Sequence, residues 1–245
     1  MKTMPDALIA LRASLAEQVA TLRGTTPDRL PRALLDLVVR RIELPAPSAP
    51  LFLPVPADWE ALRHAEGGAG RPVPYWARPW PSGLALAQAL AHDPPRPGSR
   101  VIELGCGLAA PSIVAARAGA QVLATDGATD AVAFAAHALA LSEADATVAH
   151  ADWTQHGETL AERGPWDLVL AADVLYTRAN VDALLRLAPR LVAPGGRVRL
   201  ADPRRSGARD FLAAARASFH VWTHRQDGPV ALHELRPRTV ADRTT

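Results

Sequence analysis

The chain of 245 residues is nearly half apolar and carries a net formal charge of only +2, its arginines scattered rather than bunched. That length accommodates one large α/β domain with an extension, and the even charge argues against a nucleic-acid-binding face. Cys106 is the single cysteine, which excludes an internal disulfide and a cysteine-built zinc site, and no run of about 18 apolar residues marks a membrane span, so a soluble cytoplasmic protein without a metal is expected.

From Pro5 to Leu22, the residues Leu8, Leu11, Leu15, Val19 and Leu22 recur every three or four positions, the spacing of an amphipathic helix that Gly24 would stop. A second helical run is predicted with Leu30, Leu34, Leu37 and Val38 on one face, starting between Asp28 and Pro31. These helices either pack on the main domain or cover a substrate pocket or a dimer face. Prolines recur through 42–56, which permits extended edge segments but neither a helix nor a central strand. Gly67-Gly68-Ala69-Gly70 reads as a flexible joint, so residues 1–72 form a helical and proline-rich extension.

The next stretch, PYWARPWPSG from Pro74 to Gly83, gathers Tyr75, Trp76 and Trp80 ahead of a helix that runs to about His92 with Ser82 as its cap. Flat rings at a helix start suit a ligand's base or a cationic methyl donor. Val101 to Leu104 then reads as a strand, Gly105-Cys106-Gly107 as a tight turn and Ala109 to Ala118 as a helix with Pro111 in its first turn. Strand, glycine turn and helix open a nucleotide-binding βαβ unit, whose helix start presents free N–H groups to a ligand.

Further strands are predicted at 121–125, 147–151, 167–171 and 197–201, with helices at 128–141, 178–191 and 208–218. Two last strands, 220–223 and 230–235, bracket the hairpin signal Gln226-Asp227-Gly228. The predicted fold is α/β: a doubly wound, mostly parallel, seven-stranded Rossmann-like sheet with a C-terminal antiparallel hairpin and an N-terminal helical extension. Its main domain spans 73–236 and a frayed tail 237–245.

In such a sheet ligands collect at the carboxyl ends of the strands, and those positions here are acidic: Glu103, Asp126, Asp152, Asp173 and Asp202. One aspartate there would pass as a turn former; five beside a glycine turn argue for one shared site. Gly105-x-Gly107-x-x-Ala110, with Asp126 about 20 residues on, also fits a loose dinucleotide fingerprint. A nicotinamide cofactor and S-adenosylmethionine therefore both suit the turn. Glu103, directly before the glycines, suits a cationic amino-acid tail and would repel a pyrophosphate. Asp152-Trp153 suits an adenine amino group and ring, so the ordered set favours the sulfonium.

The segments VIELGCGLAAP, VLATD, ADW and ADVLY, in this order and spacing, resemble a class I S-adenosylmethionine-dependent methyltransferase. PYWARPWPSGLALAQAL sharpens the resemblance to the seven-β-strand group that includes protein lysine methyltransferases and nicotinamide N-methyltransferase-like proteins, and Ala201-Asp202-Pro203-x-Arg205 is similar to a segment bacterial relatives carry after the fifth strand. The resemblance covers Pro74 to Leu235. It implies that Glu103, Gly105 and Gly107 hold the methionine part of the cofactor, Asp126 the ribose, and Asp152 with Trp153 the adenine, with Trp80 bordering them. Asp173-Val174-Leu175-Tyr176 matches the group's acid-x-x-aromatic motif, where methyl group and acceptor meet. Asp173 thus adjoins cofactor and acceptor and, with Tyr176, is a candidate catalytic residue. One departure stands out: near the end of the helix after the second strand, His137 lies where relatives usually carry an asparagine.

The expected activity is N-methylation by in-line transfer, in which Asp173 orients the acceptor or takes its proton and Tyr176 walls the site. Tyr75, Trp76, Tyr176, Asp202 and Arg205 are the candidate substrate contacts. The acceptor is a protein side chain of lysine type or a small nitrogen compound, with no nucleic acid and no membrane as partner. A nicotinamide-dependent oxidoreductase and a non-catalytic binding module of the same fold stand as alternatives.

Overall fold

The central strands are apolar along their length, as a sheet buried on both faces requires. The computed structural model describes residues 4–224 and 228–239. In it Val101, Leu168 and Leu170 share a core with Leu86, Leu90, Ile113 and Phe134, while Ile102, Leu104, Val169 and Ala171 share another with Leu160, Leu184 and Phe211. Successive strand side chains alternate between faces, so each apolar run supplies both layers.

The N-terminal part consists of helix α1 (Met4–Arg23), the single turn α2 (Arg32–Leu35), strands β1 (Leu37–Ile42) and β2 (Leu51–Pro56), and helix α3 (Trp59–Gly68). There follow α4 (Pro81–His92), β3 (Arg100–Leu104), α5 (Ala110–Arg117), β4 (Gln121–Asp126), α6 (Thr129–Leu141), β5 (Thr147–His150) and α7 (Gly157–Glu162). The chain ends with β6 (Trp166–Ala172), α8 (Arg178–Leu191), β7 (Val192–Asp202), α9 (Ser206–Ala215), β8 (Phe219–His224) and β9 (Ala231–Pro237). The seven-stranded sheet has the order β5-β4-β3-β6-β7-β9-β8 and is parallel except for β9, which runs against both neighbours. Strand order reverses between β3 and β6, so the crevice for a ligand opens above Glu103 and Asp173. Register aligns the strand ends there, pairing Glu103 with Ala124, and Ala172 with Ala201.

The fold matches the expected one; the N-terminal third of the chain differs from expectation in three places. The run from Leu30 to Val38 is not one helix: after one turn it becomes β1, because Leu37 to Ile42 pair with β2. Prolines 54 and 56 keep that ribbon to two strands, while Leu51, Leu53 and Val55 turn inward together. Gly67 and Gly68 are no joint but the end of α3, which Asp58 caps by accepting from the Ala61 N–H at 2.9 Å; Gly70, at φ 71°, makes the left-handed exit. Ser82 does not cap α4: Pro81 opens the helix and the buried Ser82 hydroxyl lies inside it.

The extension packs on the main domain. Leu15, Val19 and Ala20 of α1 are buried, and Phe52 of β2 donates its N–H to Ser142 Oγ at 2.9 Å. Gln226 and Asp227 of the predicted hairpin turn lie outside the described residues, as do 240–245 of the predicted tail. No helix among the described residues is long and apolar enough to cross a membrane.

Candidate active site

Gly105, Gly107 and Ala109 adopt φ of 69°, 51° and 57°, and this alternation of left-handed residues folds the turn tightly over the end of β3. A Cβ on Gly105 would come within 3.0 Å of Val174 Cγ1, so the turn and the loop after β6 touch. Asp126, at the end of β4, accepts from the Gly107 N–H and from the Ala128 N–H, each at 2.9 Å. Glu103 is only 1% exposed and receives the Ser112 N–H at 3.0 Å together with the Ser112 hydroxyl. Burial pushes its carboxyl up to about 8 against those bonds, and nearby Asp126 adds to the rise. Burial also raises Asp126.

These groups line a cavity of about 1140 Å³ that also includes Asp152, Trp153, Trp76, Trp80, Tyr75, Asp173, Tyr176 and Arg205. Asp152 braces its own turn, accepting from Thr154 N–H at 2.9 Å and Gln155 Nε2 at 2.9 Å, which holds the buried Trp153 indole near Gly105. Trp76 packs half-buried on Phe134, with ring centres 4.7 Å apart. Tyr75 lies 6.2 Å from Trp80 and 6.3 Å from Tyr176, and its backbone carbonyl takes the Trp80 indole N–H at 2.6 Å. Tyr75 and Tyr176 are 52% and 57% exposed, so neither fills the core; with Trp80 they form an aromatic rim.

Asp173 does not cap α8. Thr177 does so, its hydroxyl accepting from the Asn180 N–H at 3.1 Å. Asp173 itself sits at φ 59°, a conformation Asp tolerates better than most residues. Its Oδ1 receives Arg205 Nε at 2.8 Å and Nη2 at 2.6 Å. Asp202 corrects an expectation: alone among the candidate residues it does not line the cavity, because it is fully buried at the end of β7, where its Oδ1 accepts the Arg205 N–H at 2.7 Å. There it fixes the backbone of Arg205.

Other residues of the cavity wall escaped sequence reasoning. Arg23 of α1 bonds Asp130 of α6 and Glu66 of α3, and Arg71 joins Glu66. Such contacts span up to 107 positions of chain and leave no local signal. Asn180 donates Nδ2 to the Val174 carbonyl at 2.7 Å, tying down the loop before Tyr176; its only trace in the sequence is the spacing Thr177-x-x-Asn180. His137 points away from the cavity, its Nε2 3.0 Å from Ser14 Oγ. Burial raises the Cys106 thiol well above its ordinary value, so it is a packing group rather than a nucleophile. Among the described residues no group of three or more His, Cys, Asp or Glu is placed to hold a metal.

The sheet order and the acid-lined crevice at its switch point define the class I methyltransferase architecture. A solved structure of this fold, the 16S rRNA N2 G1207 methyltransferase of T. thermophilus in complex with AdoMet and guanosine, superposes with a TM-score of 0.61 over 82% of this chain and 50% of that one, at 19% identity. Residues 77–217 match the family described as lysine methyltransferase, and the chain belongs to that family. The electron transfer flavoprotein beta subunit lysine methyltransferase of Danio rerio is 33% identical over 157 residues, 63% of this chain and 59% of that protein. Its Xenopus laevis counterpart is 35% identical over 136 residues, 54% of each chain. The match thus spans little more than half the length of these relatives. Family membership removes the oxidoreductase alternative.

Proposed function

We propose that the protein transfers a methyl group from S-adenosylmethionine to the side-chain nitrogen of a lysine in a protein substrate, within a catalytic unit at 73–236 and in the cytosol. One observation carries the reading: a single cavity joins an acidic end, at the buried Glu103 and the half-buried Asp126 and Asp152, to an aromatic rim at the half-buried Trp80 and the exposed Tyr75 and Tyr176.

The acidic end fits the cofactor. Its side chains are acids and an indole, suited to an ammonium, hydroxyls and an adenine, while a pyrophosphate would meet the carboxylates of Asp126 and Asp152. Glu103 holds the ammonium of the amino-acid tail, Gly105 and Gly107 let the backbone approach, Asp126 takes the ribose hydroxyls, and Asp152 with Trp153 takes the adenine. When bound, the cofactor supplies an electrophilic methyl on a sulfonium.

At the rim this chain's work is positional. Tyr75, Trp80 and Tyr176 exclude water from a lysine stem and offer π faces to a positively charged carbon. Asp173 receives the acceptor nitrogen on Oδ2, the oxygen opposite the one that Arg205 holds. Much of the acceleration in such a transfer comes from holding nucleophile and electrophile in line. Family relatives that modify lysine, together with an open rim that admits a long, thin side chain, favour a protein acceptor over a small molecule.

The test is incubation with methyl-tritiated S-adenosylmethionine and a host lysate, followed by separation of protein from small molecules and acid hydrolysis. Label recovered as Nε-methylated lysine supports the reading. Label confined to the small-molecule fraction overturns it, and no label anywhere, with cofactor binding intact, points to a non-catalytic module.

A further inference from the structure

A lysine nitrogen attacks only as the neutral amine, whereas a lysine in water is charged. A bare carboxylate beside the acceptor would hold it as ammonium, because an opposite charge within about 4–6 Å favours the charged form. Asp173 is such a carboxylate, yet it is not bare. Arg205 donates Nε to Asp173 Oδ1 at 2.8 Å and brings Nη2 within 2.6 Å of the same oxygen.

Arg205 is held in place for this. Its backbone N–H is fixed by Asp202 Oδ1 at 2.7 Å, and Asp202 is fully buried at the end of β7, its other oxygen without a hydrogen-bond partner among the described residues. Asp202 is itself a second carboxyl within reach of Asp173, pushed up by burial with Asp173 adding to the rise, and it too feels the Arg205 charge. Among the described residues the other charged or titratable groups on this side are Arg204 beside Arg205, Tyr176 on the same loop as Asp173, Tyr75 and Arg78 on the aromatic segment, and Glu103 and Cys106 across the cavity. Arg78 lies over the rings of Trp59 and Trp80, 5.3 and 4.7 Å from their centres, and Arg204 reaches toward the Gly228 carbonyl. Arg205 is therefore the cation that answers Asp173.

Resting on the reading of Asp173 as the acceptor's partner, we propose that Arg205 is a positioning residue that cancels the charge of Asp173, so that Oδ2 orients the acceptor nitrogen without trapping its proton. The ammonium N–H bond breaks, its electron pair stays on nitrogen and the proton leaves to solvent. Arg205 thereby sets the pH at which a bound lysine becomes a nucleophile.

The experiment follows kcat and KM against pH for the wild type, Arg205→Met and Arg205→Lys, using tritiated S-adenosylmethionine and, as acceptor, the protein band that the wild type labels in a host lysate. Arg205→Met should move the alkaline rise of kcat upward by about one pH unit, a loss of about tenfold at pH 7, while KM for the acceptor falls because the ammonium meets an uncancelled carboxylate. Arg205→Lys should restore most of the wild-type profile. A loss of equal size at every pH, or an unmoved profile, overturns the inference and leaves Arg205 a structural role. If Arg205→Met fails to fold, Arg205→Gln is read in the same way. Absence of any lysine label with the wild type overturns instead the proposed function on which the inference rests.

Discussion

Ser112, in the first turn of α5, gives both its N–H, at 3.0 Å, and its hydroxyl to one oxygen of Glu103 at the end of β3. Those bonds do not offset burial, which lifts the Glu103 carboxyl to about 8. At pH 7 without ligand the group is therefore mostly protonated. An ammonium placed against it favours the carboxylate, so binding of S-adenosylmethionine should release up to one proton. Calorimetry at pH 7 in buffers of different ionisation enthalpy measures this directly. Glu103→Gln should abolish the release and weaken binding more than tenfold.

The same group shapes the stability of the ligand-free protein. A folded-state value raised above the ordinary 4.5 stabilises at low pH, and the effect is lost as pH rises through about 8. Denaturant midpoints should fall for the wild type across that window and fall less for Glu103→Gln.

Arg23 ties α1 to α6 through Asp130 and to α3 through Glu66, and both acids are nearly buried. Burial pushes Glu66 upward, but the bonds from Arg71 and Arg23 outweigh it and hold the carboxyl below its ordinary value. Arg23→Met leaves Asp130 unpaired and should cost about 3 kcal/mol in chemical denaturation, the usual range for breaking a buried pair. Because Glu66 is depressed, its share of stability is present at neutral pH and lost as pH falls below about 4.5, so the wild-type advantage over Arg23→Met should shrink on acidification.

How much of this was visible in the sequence depends on the range of the interaction. Glu103, the glycines and Asp126 follow apolar strands at fixed offsets, so local pattern located them and the sheet that aligns them. Leu37 and Val38 were misplaced because a helical face and a half-buried strand both present spaced apolar residues, and only pairing with β2 decides between them. Gly67 and Gly68 hide the end of α3, since glycines so close together read as a joint. Asp202 occupies the same strand-end position as its four fellow acids, yet it does not line the cavity as they do. No spacing rule reports that difference.

The aromatic rim yields a prediction of specificity. Tyr75 and Tyr176 face each other at 6.3 Å and are half-exposed, so their loss exposes no core. Tyr176→Ala and Tyr75→Ala should each raise KM for the acceptor about fivefold, in line with roughly 1 kcal/mol per lost ring contact, while Kd for the cofactor stays within twofold. Thermal unfolding should be nearly unchanged in both variants.

The central claim is that one cavity has two ends, Asp126 serving the cofactor and Asp173 the acceptor. It is tested most directly by calorimetric binding of S-adenosylmethionine to Asp173→Ala, with Asp126→Ala as the reference and methyl transfer assayed on both. The account predicts that Asp173→Ala keeps most of its cofactor affinity and loses transfer, whereas Asp126→Ala loses binding itself. Equal loss of binding in the two variants would contradict it.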